Sequence, residues 1–198
     1  TIYISQKPES KGYNQFRELL SNIVSLEPTH NEYVFYFKNK PLAEYLLQFG
    51  LSFEKYIPEV IKDSTPEEIS EFLYFYYLGD GWKDGERIGY KTSSRRMADD
   101  LQELIQKVGL SASVSTEIPI DDKFIGKRII KKENQHTSFV IRIRTTPYQS
   151  FNLEKLEYNN RIYCVSVPNE ILYVRRNGKP IWCGNTIRPN IDEFGLLA

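Results

Sequence analysis

Residues 65–81 read TPEEISEFLYFYYLGDG, and the fold prediction starts from this stretch. Thr65 can cap a helix, Pro66 suits the first helical position, and Glu68 can complete a capping box. The residues that follow place aromatic and aliphatic side chains on every side of the helix. This pattern predicts a helix that is buried nearly all round.

The end of this helix presents a carboxylate between two glycines, in the order Gly79, Asp80, Gly81. Glycines here allow a second helix or a ligand to approach the backbone closely. A carboxylate in that position can bind a divalent metal ion. The alternative is a core helix that simply ends in a Gly-Asp-Gly turn.

The sequence around this helix alternates between helical and extended patterns. Helices are predicted over residues 13–20 and 41–49, with a strand over 32–38 between them and a linker over 52–64. After the aromatic helix come a strand over 86–92, a helix that ends at Gly109, and strands over 112–118 and 138–145. This order indicates an α+β fold.

The character of the sequence changes beyond residue 158, where short extended segments predominate. These are RIYCVSV at 161–167, EILYVRR at 170–176 and KPIWC at 179–183. Asn177-Gly178 separates the last two and is a strong hairpin signal, because both turn residues need positive φ. We therefore place a domain boundary near residues 153–160.

The composition excludes several classes of protein. The chain has 198 residues, of which 40% are hydrophobic, enough for a full core. No apolar run approaches the ~18 to 20 residues that cross a bilayer, so we expect a cytoplasmic protein with no membrane partner. The spacing of the two cysteines, Cys164 and Cys183, matches neither a zinc site nor a disulfide framework.

The charge is unevenly distributed, although the formal net charge is zero. Residues 123–144 hold seven basic residues and one acidic residue, a net charge of +6. Such a segment can contact the backbone or grooves of DNA, and a solvated basic loop is the alternative. The seven candidates for DNA binding are Lys123, Lys127, Arg128, Lys131, Lys132, Arg142 and Arg144.

Four ordered segments resemble the LAGLIDADG homing endonucleases, whose motif helices often read like LLGYLIGDG. The matching segments are LYFYYLGDG at 73–81, KYIP at 55–58, YKTSS at 90–94 with the helix that follows, and residues 13–50. The resemblance implies an αββαββ half-domain over residues 63–155. Residues 1–62 then correspond to the tail of a first half-domain and a linker.

The resemblance also implies an activity, which is cleavage of double-stranded DNA. In this family two motif helices pack at a pseudo-twofold axis, and each contributes one aspartate to bound Mg²⁺. Asp80 corresponds to one metal ligand, and Lys55 and Lys91 to active-site lysines. Solvated lysines and a homodimer with one motif per chain are the alternatives. With one motif aspartate found, we do not expect cleavage by this chain alone.

Residues 161–186, RIYCVSVPNEILYVRRNGKPIWCGNT, resemble the final splicing segment of inteins. The resemblance makes Asn185 the residue that cyclises and Thr186 the downstream nucleophile. Gly184 stands where inteins commonly have His, so other donors must stabilise the oxyanion. Cys164 stands where Asp is usual, and it is either a transient nucleophile or a small buried hydrophobe. Cys183 is expected to pack.

Together these resemblances predict the C-terminal fragment of a split intein. A β-rich, Hint-like splicing segment spans residues 156–185, and residues 186–198 belong to the host protein. The expected partners are an N-terminal intein fragment and double-stranded DNA, and splicing itself needs no cofactor. The alternative is a stand-alone endonuclease or DNA-binding protein with a structural C-terminal hairpin.

Overall fold

The computed structural model describes residues 1–10, 12–25, 33–126, 128–144, 155, 157, 159–161, 163 and 165–184. The first part holds β1 (Ile2–Ser5), α1 (Tyr13–Ile23), β2 (Val34–Phe37), α2 (Lys40–Leu47) and α3 (Glu59–Lys62). The middle part holds α4 (Pro66–Asp80), β3 (Gly81–Asp84), β4 (Arg87–Thr92), α5 (Arg95–Lys107), β5 (Ser111–Glu117), β6 (Lys123–Ile125), β7 (Arg128–Ile130) and β8 (Ser138–Arg144). The last part holds β9 (Ile171–Arg176) and β10 (Lys179–Gly184).

Helix α4 begins with the predicted capping box. The Thr65 hydroxyl accepts a hydrogen bond from the Glu68 backbone N–H at 3.3 Å. In return, the Glu68 carboxylate accepts one from the Thr65 N–H at 2.9 Å. Two N–H groups that the helix itself leaves without partners are thereby satisfied, which fixes the start of α4.

The prediction that α4 is buried nearly all round is wrong. Ile69 and Leu73 are its buried side chains, whereas Tyr74 is 47% exposed. One side of α4 packs on α5 and the sheet. The other side contacts α1, where the ring centroids of Phe16 and Phe75 are 6.0 Å apart and the Gln15 amide donates a hydrogen bond to the Tyr74 hydroxyl at 2.8 Å. An all-apolar pattern shows which faces can be buried, and tertiary partners decide which of them are.

The central sheet has four antiparallel strands in the order β3-β4-β8-β5. Helices α4 and α5 pack on one face of it. Along α4, β3, β4, α5, β5 and β8 the order is the αββαββ that the resemblance implied, with the β6–β7 hairpin inserted before β8. Strand β3 is absent from the sequence prediction, because its four residues, which begin with a glycine, show too little alternation to be recognised.

The core lies between α5 and the sheet. Met97, Leu101, Leu104 and Ile105 are buried along one face of α5 and cluster with sheet residues such as Ile141. Ser94 caps this helix by accepting a hydrogen bond from the Met97 N–H at 3.1 Å. The helix predicted before Gly109 is therefore confirmed, and its apolar side chains form the buried face of an amphipathic helix.

Three other segments differ from the sequence prediction. The linker over 52–64 contains the short helix α3, and the basic loop contains the β6–β7 hairpin. The described residues of segment 161–167 lie in no strand. Alternation alone does not make a strand, which also needs a neighbour, and β9 and β10 pair with each other.

The predicted terminal hairpin is confirmed. Strands β9 and β10 pair in register from Ile171 opposite Gly184 to Arg176 opposite Lys179. Between them Asn177 has φ 51° and Gly178 has φ 72°, the positive values that this turn requires. Within the described part of the chain, no helix is long and apolar enough to span a bilayer.

The buried Tyr90 makes stability sensitive to alkaline pH. Its hydroxyl donates a hydrogen bond to the Leu73 carbonyl at 3.1 Å, and burial raises the pKa of Tyr90 to about 12. The folded state holds this proton more tightly than the unfolded chain. The corresponding stability is therefore complete below pH 10 and is lost as the pH rises towards 12.

We expect Tyr90→Phe to lose less stability than the unaltered chain between pH 10 and 12. The difference should be about 2–3 kcal/mol, since one pKa unit corresponds to ~1.4 kcal/mol. Urea unfolding at a series of pH values measures it. Tyr3→Phe, at a side chain that is 68% exposed, is the control and should follow the unaltered chain. If the stability of both variants fell in parallel with pH, the raised pKa would not belong to Tyr90.

Candidate nucleic-acid interface

The sheet has one face covered by helices and one open face. Tyr90, Ile141 and Val114 belong to the core cluster, so their strand neighbours point to the other side of the sheet. Residues paired across antiparallel strands share a face. One row of the open face is therefore Trp82, Gly89, Arg142 and Ser113.

This open face is polar and basic along β5 and β8. Arg142 and Arg144 lie on it, as their alternation predicted, and the Arg142 guanidinium donates a hydrogen bond to the Ser115 hydroxyl. The sequence analysis missed the serines of β5. Their signal was the alternation in SASVSTE, which places Ser111, Ser113 and Ser115 on the face that carries the arginines.

Asp80 is the last residue of α4 and is exposed. Burial first, and then the negative charge of Asp80, raise the pKa of Tyr76, which lies four residues earlier in α4. Among the described residues, no three His, Cys, Asp or Glu side chains come close enough to hold a metal ion. Asp80 alone does not complete the site that the family resemblance implies.

The two candidate active-site lysines have different surroundings. Lys91 lies in β4 and forms an ion pair with Glu117 on β5, at 2.6 Å between Nζ and Oε2. Lys55 lies in the loop before α3, and its backbone carbonyl accepts a hydrogen bond from the Ser94 hydroxyl at 2.5 Å. In the described part of the chain, neither lysine forms an ion pair with Asp80.

The β6–β7 hairpin and the residues directly after it carry four of the predicted DNA-binding residues. Lys123 and Arg128 lie in the two strands, Lys131 follows β7, and Lys132 begins a short 3-10 helix. Asp122 binds the base of this hairpin, since it accepts hydrogen bonds from the Lys131 ammonium at 2.7 Å and the Lys132 N–H at 2.9 Å. These hydrogen bonds lower the pKa of Asp122. One of the four cations is therefore partly neutralised. Lys127 lies outside the described residues.

Comparison with known proteins shows a family match in the middle of the chain. Residues 67–140 match the family model described as LAGLIDADG-like domain. This chain contains a LAGLIDADG-like domain. It comprises most of α4 and the elements up to the first residues of β8 within a mixed α+β fold.

Two curated relatives share part of the sequence. The DNA-directed RNA polymerase subunit beta C-terminal section of Stigeoclonium helveticum is 36% identical over 107 residues, which cover 50% of this chain. The replicative DNA helicase DnaB of Rhodothermus marinus is 30% identical over 90 residues, which cover 40% of it. The matched part spans about 10% of the length of each relative.

Among solved structures, one of the mesophilic variants of the homing endonuclease I-DmoI aligns with 73% of this chain and 73% of its own. The TM-score is 0.45 and the sequence identity is 14%.

The terminal hairpin packs on the LAGLIDADG-like domain. Arg175 of β9 forms an ion pair with Asp99 of α5 at 2.9 Å and donates to the Gln102 side-chain oxygen at 3.0 Å. The Gly178 carbonyl accepts from the Gln102 amide at 3.0 Å and from the Val114 N–H at 2.9 Å. The turn is thus held by both α5 and the edge of β5.

The hairpin has two different faces. Tyr173, Arg175, Pro180 and Trp182 share the face that meets α5, where the rings of Tyr173 and Trp182 are 4.7 Å apart. The opposite face carries aliphatic side chains, of which Val174 and Ile181 are more than 40% exposed. The three predicted splicing residues, Cys164, Asn185 and Thr186, lie outside the described residues.

Proposed function

We propose that this chain is the C-terminal part of a protein-splicing intein that carries half of a LAGLIDADG homing endonuclease. The observation that carries the proposal is a β-hairpin that ends at Gly184, directly before Asn185-Thr186, in a chain with a LAGLIDADG-like domain. An N-terminal intein fragment is the complementing partner. The exposed aliphatic face of the hairpin is a surface on which that fragment can build its β structure.

The two curated relatives support an inserted element. An RNA polymerase subunit and a replicative helicase are different enzymes, and each shares about a tenth of its length with this chain. A mobile segment that was inserted into two different host proteins would leave this pattern of similarity.

The splicing chemistry rests on two adjacent residues. The Thr186 hydroxyl first accepts the acyl group of the upstream host segment. The side-chain amide nitrogen of Asn185 then attacks its own backbone carbonyl carbon, which forms a succinimide and breaks the peptide bond to Thr186. The leaving amine takes up a proton. Because Gly184 has no side chain to polarise that carbonyl, backbone donors of the completed fold must stabilise the oxyanion.

The endonuclease part is proposed to bind DNA on the open face of the sheet. Arg142, Arg144 and the β6–β7 hairpin supply the cations, and counterion release makes such binding strongly dependent on salt. Asp80 would supply one carboxylate to Mg²⁺, and a motif helix of the complementing fragment would supply the second. Bound Mg²⁺ would activate water and stabilise the leaving oxygen.

A second candidate function is a stand-alone endonuclease or DNA-binding protein whose terminal hairpin is structural. The observation in its favour is the packing of the hairpin on α5 and β5, which makes it part of the same folded unit. Under this reading, residue 185 performs no chemistry and the tail remains attached.

Asn185→Ala separates the two candidates. When the chain is mixed with a matching N-terminal intein fragment, we expect a ligated host product and release of residues 186–198 from the intein. Asn185→Ala should abolish that release, whereas Asn134→Ala, at an exposed asparagine, should leave it unchanged. Intact mass measurement follows the reaction. Retention of the tail by the unaltered mixture would refute the splicing proposal.

Asp80→Ala tests the endonuclease part in the same complemented protein. We expect loss of Mg²⁺-dependent nicking of plasmid DNA, with splicing unaffected. Asp84→Ala, at an exposed aspartate of the neighbouring strand, is the matched control. Equal rates of nicking by the Asp80 and Asp84 variants would show that Asp80 is not an active-site residue.

A further inference from the structure

A cavity of about 430 Å³ lies between the edge of β5 and the turn of the terminal hairpin. Both the sheet and the hairpin contribute to its wall. Its charged side chains are Arg95, Arg144 and Lys179, and its neutral polar side chains include Asn177, Ser113 and Ser115. The cavity therefore exists only while the hairpin is packed against β5.

The charge of this cavity is positive. Three of its side chains are cations, and one of them, Arg95, forms an ion pair with Asp99 at 3.1 Å, a carboxylate that also pairs with Arg175 at 2.9 Å. In the described ion pairs, no carboxylate neutralises Arg144 or Lys179. The hydroxyl groups of the two serines and the amide of Asn177 add neutral hydrogen-bond donors.

We infer that this cavity binds a backbone phosphate of DNA, so that the terminal hairpin forms part of the DNA interface. Guanidinium, ammonium, hydroxyl and amide groups are the usual donors to phosphate oxygens. Arg144, Ser113 and Ser115 also belong to the open face of the sheet, so the cavity continues that face around the edge of β5. The inference rests on the proposed function in DNA binding.

Gln102 connects the hairpin to this function without touching DNA. It is 2% exposed, and its amide holds the Gly178 carbonyl, one residue before Lys179. It also donates to the Ala112 carbonyl at 2.7 Å, which ties the hairpin to β5. A buried, neutral side chain on α5 thereby positions the Lys179 ammonium at the cavity.

The first test compares two charge removals in the same hairpin. Lys179→Gln should weaken binding of the full chain to a short mixed-sequence duplex and lower the slope of log K against log salt by about 0.9, as expected for one lost phosphate contact. Arg176→Gln is the matched control, since Arg176 lies directly opposite Lys179 and does not line the cavity. Fluorescence anisotropy between roughly 50 and 200 mM salt measures both slopes.

The second test removes no charge. Gln102→Leu should reduce the slope as Lys179→Gln does, because the released hairpin no longer holds the ammonium at the cavity. The double variant Gln102→Leu with Lys179→Gln should lose no further slope. Circular dichroism shows whether each variant is folded at the binding temperature. If the Gln102→Leu protein is unfolded, Gln102→Met, whose side chain is unbranched, is measured in its place.

The outcomes separate this inference from the proposed function. Failure of the unaltered chain to bind duplex DNA would overturn this inference and the proposed DNA binding together, whereas the splicing proposal is decided by release of the tail. Duplex binding with equal slopes for the unaltered chain and Lys179→Gln would overturn the cavity assignment alone. Equal effects of Lys179→Gln and Arg176→Gln would also overturn it, because they would indicate a diffuse charge effect in place of a site.

Discussion

Replacing Gly178 with alanine will detach the terminal hairpin from the LAGLIDADG-like domain. Gly178 has φ 72°, a left-handed conformation that costs an L-residue roughly 1–2 kcal/mol. In addition, a Cβ atom there would lie 2.0 Å from the Val114 carbonyl oxygen. The Val114 carbonyl is part of the backbone, and the position of the Cβ atom is fixed by the backbone of residue 178. Neither can move aside without breaking the contact between the turn and β5.

The loss should exceed the cost of strain alone. Detachment breaks the hydrogen bonds that the Gly178 carbonyl accepts from Val114 and Gln102. Each of these hydrogen bonds contributes roughly 0.5–1.5 kcal/mol net. We expect the free energy of hairpin opening to fall by about 3 kcal/mol or more. Hydrogen exchange at the Val114 amide measures this opening directly.

Gly85→Ala provides the control. Gly85 has φ 59°, and a Cβ atom added there would meet no other atom within 4 Å. This variant should show only the strain of a left-handed alanine, about 1–2 kcal/mol, and should leave exchange at Val114 unchanged. If the Val114 amide were equally protected from hydrogen exchange in the two alanine variants, the close approach of Gly178 to Val114 would make no contribution to stability.

Features whose causes lie close together in the sequence could be predicted. The Thr65–Glu68 capping box joins residues three apart, and the turn at Asn177-Gly178 depends on its own two residues. The positions of Arg142 and Arg144 on one face follow from the period of a strand. In each case a local signal determines the structure, because no distant contact is needed to produce it.

Features that depend on distant contacts could not be predicted. Gln102 contacts Gly178 across 76 positions, and nothing near Gln102 in the sequence distinguishes it from a solvated polar residue of an amphipathic helix. The exposure of Tyr74 depends on what packs against α4. The ion pair of Lys91 with Glu117 depends on the pairing of β4 and β5 with β8 between them.

The Asp100 carboxylate supports the loop that precedes the aromatic helix, and Asp100→Ala is the second variant with a large expected effect. Asp100 is 6% exposed and accepts a hydrogen bond from the Ile57 N–H at 2.8 Å. It also lies 3.6 Å from the ammonium group of Lys62, whose side chain is 10% exposed. The hydrogen bond to Glu59 and the charge of Asp100 outweigh burial and raise the pKa of Lys62.

Alanine at position 100 leaves a buried N–H without a partner and removes one of the two carboxylates that pair with Lys62. Because Lys62 keeps its ion pair with Glu59 at 2.6 Å, we expect a loss of about 1.5–3 kcal/mol, the usual worth of a buried hydrogen bond to a charged group. Urea unfolding at neutral pH measures it. Asp100→Asn keeps an acceptor for the Ile57 N–H, so it should cost less than Asp100→Ala.

The functional consequence concerns Lys55, two residues before Ile57. The Ile57–Asp100 and Lys55–Ser94 hydrogen bonds are two tethers that hold this loop to α5. With one tether removed, the backbone that carries Lys55 is held less firmly against α5, and the complemented endonuclease should nick DNA more slowly. Asp100→Asn should restore part of that rate. If Asp100→Ala unfolded at the same urea concentration as the unaltered chain, the carboxylate would not be the support that its contacts indicate.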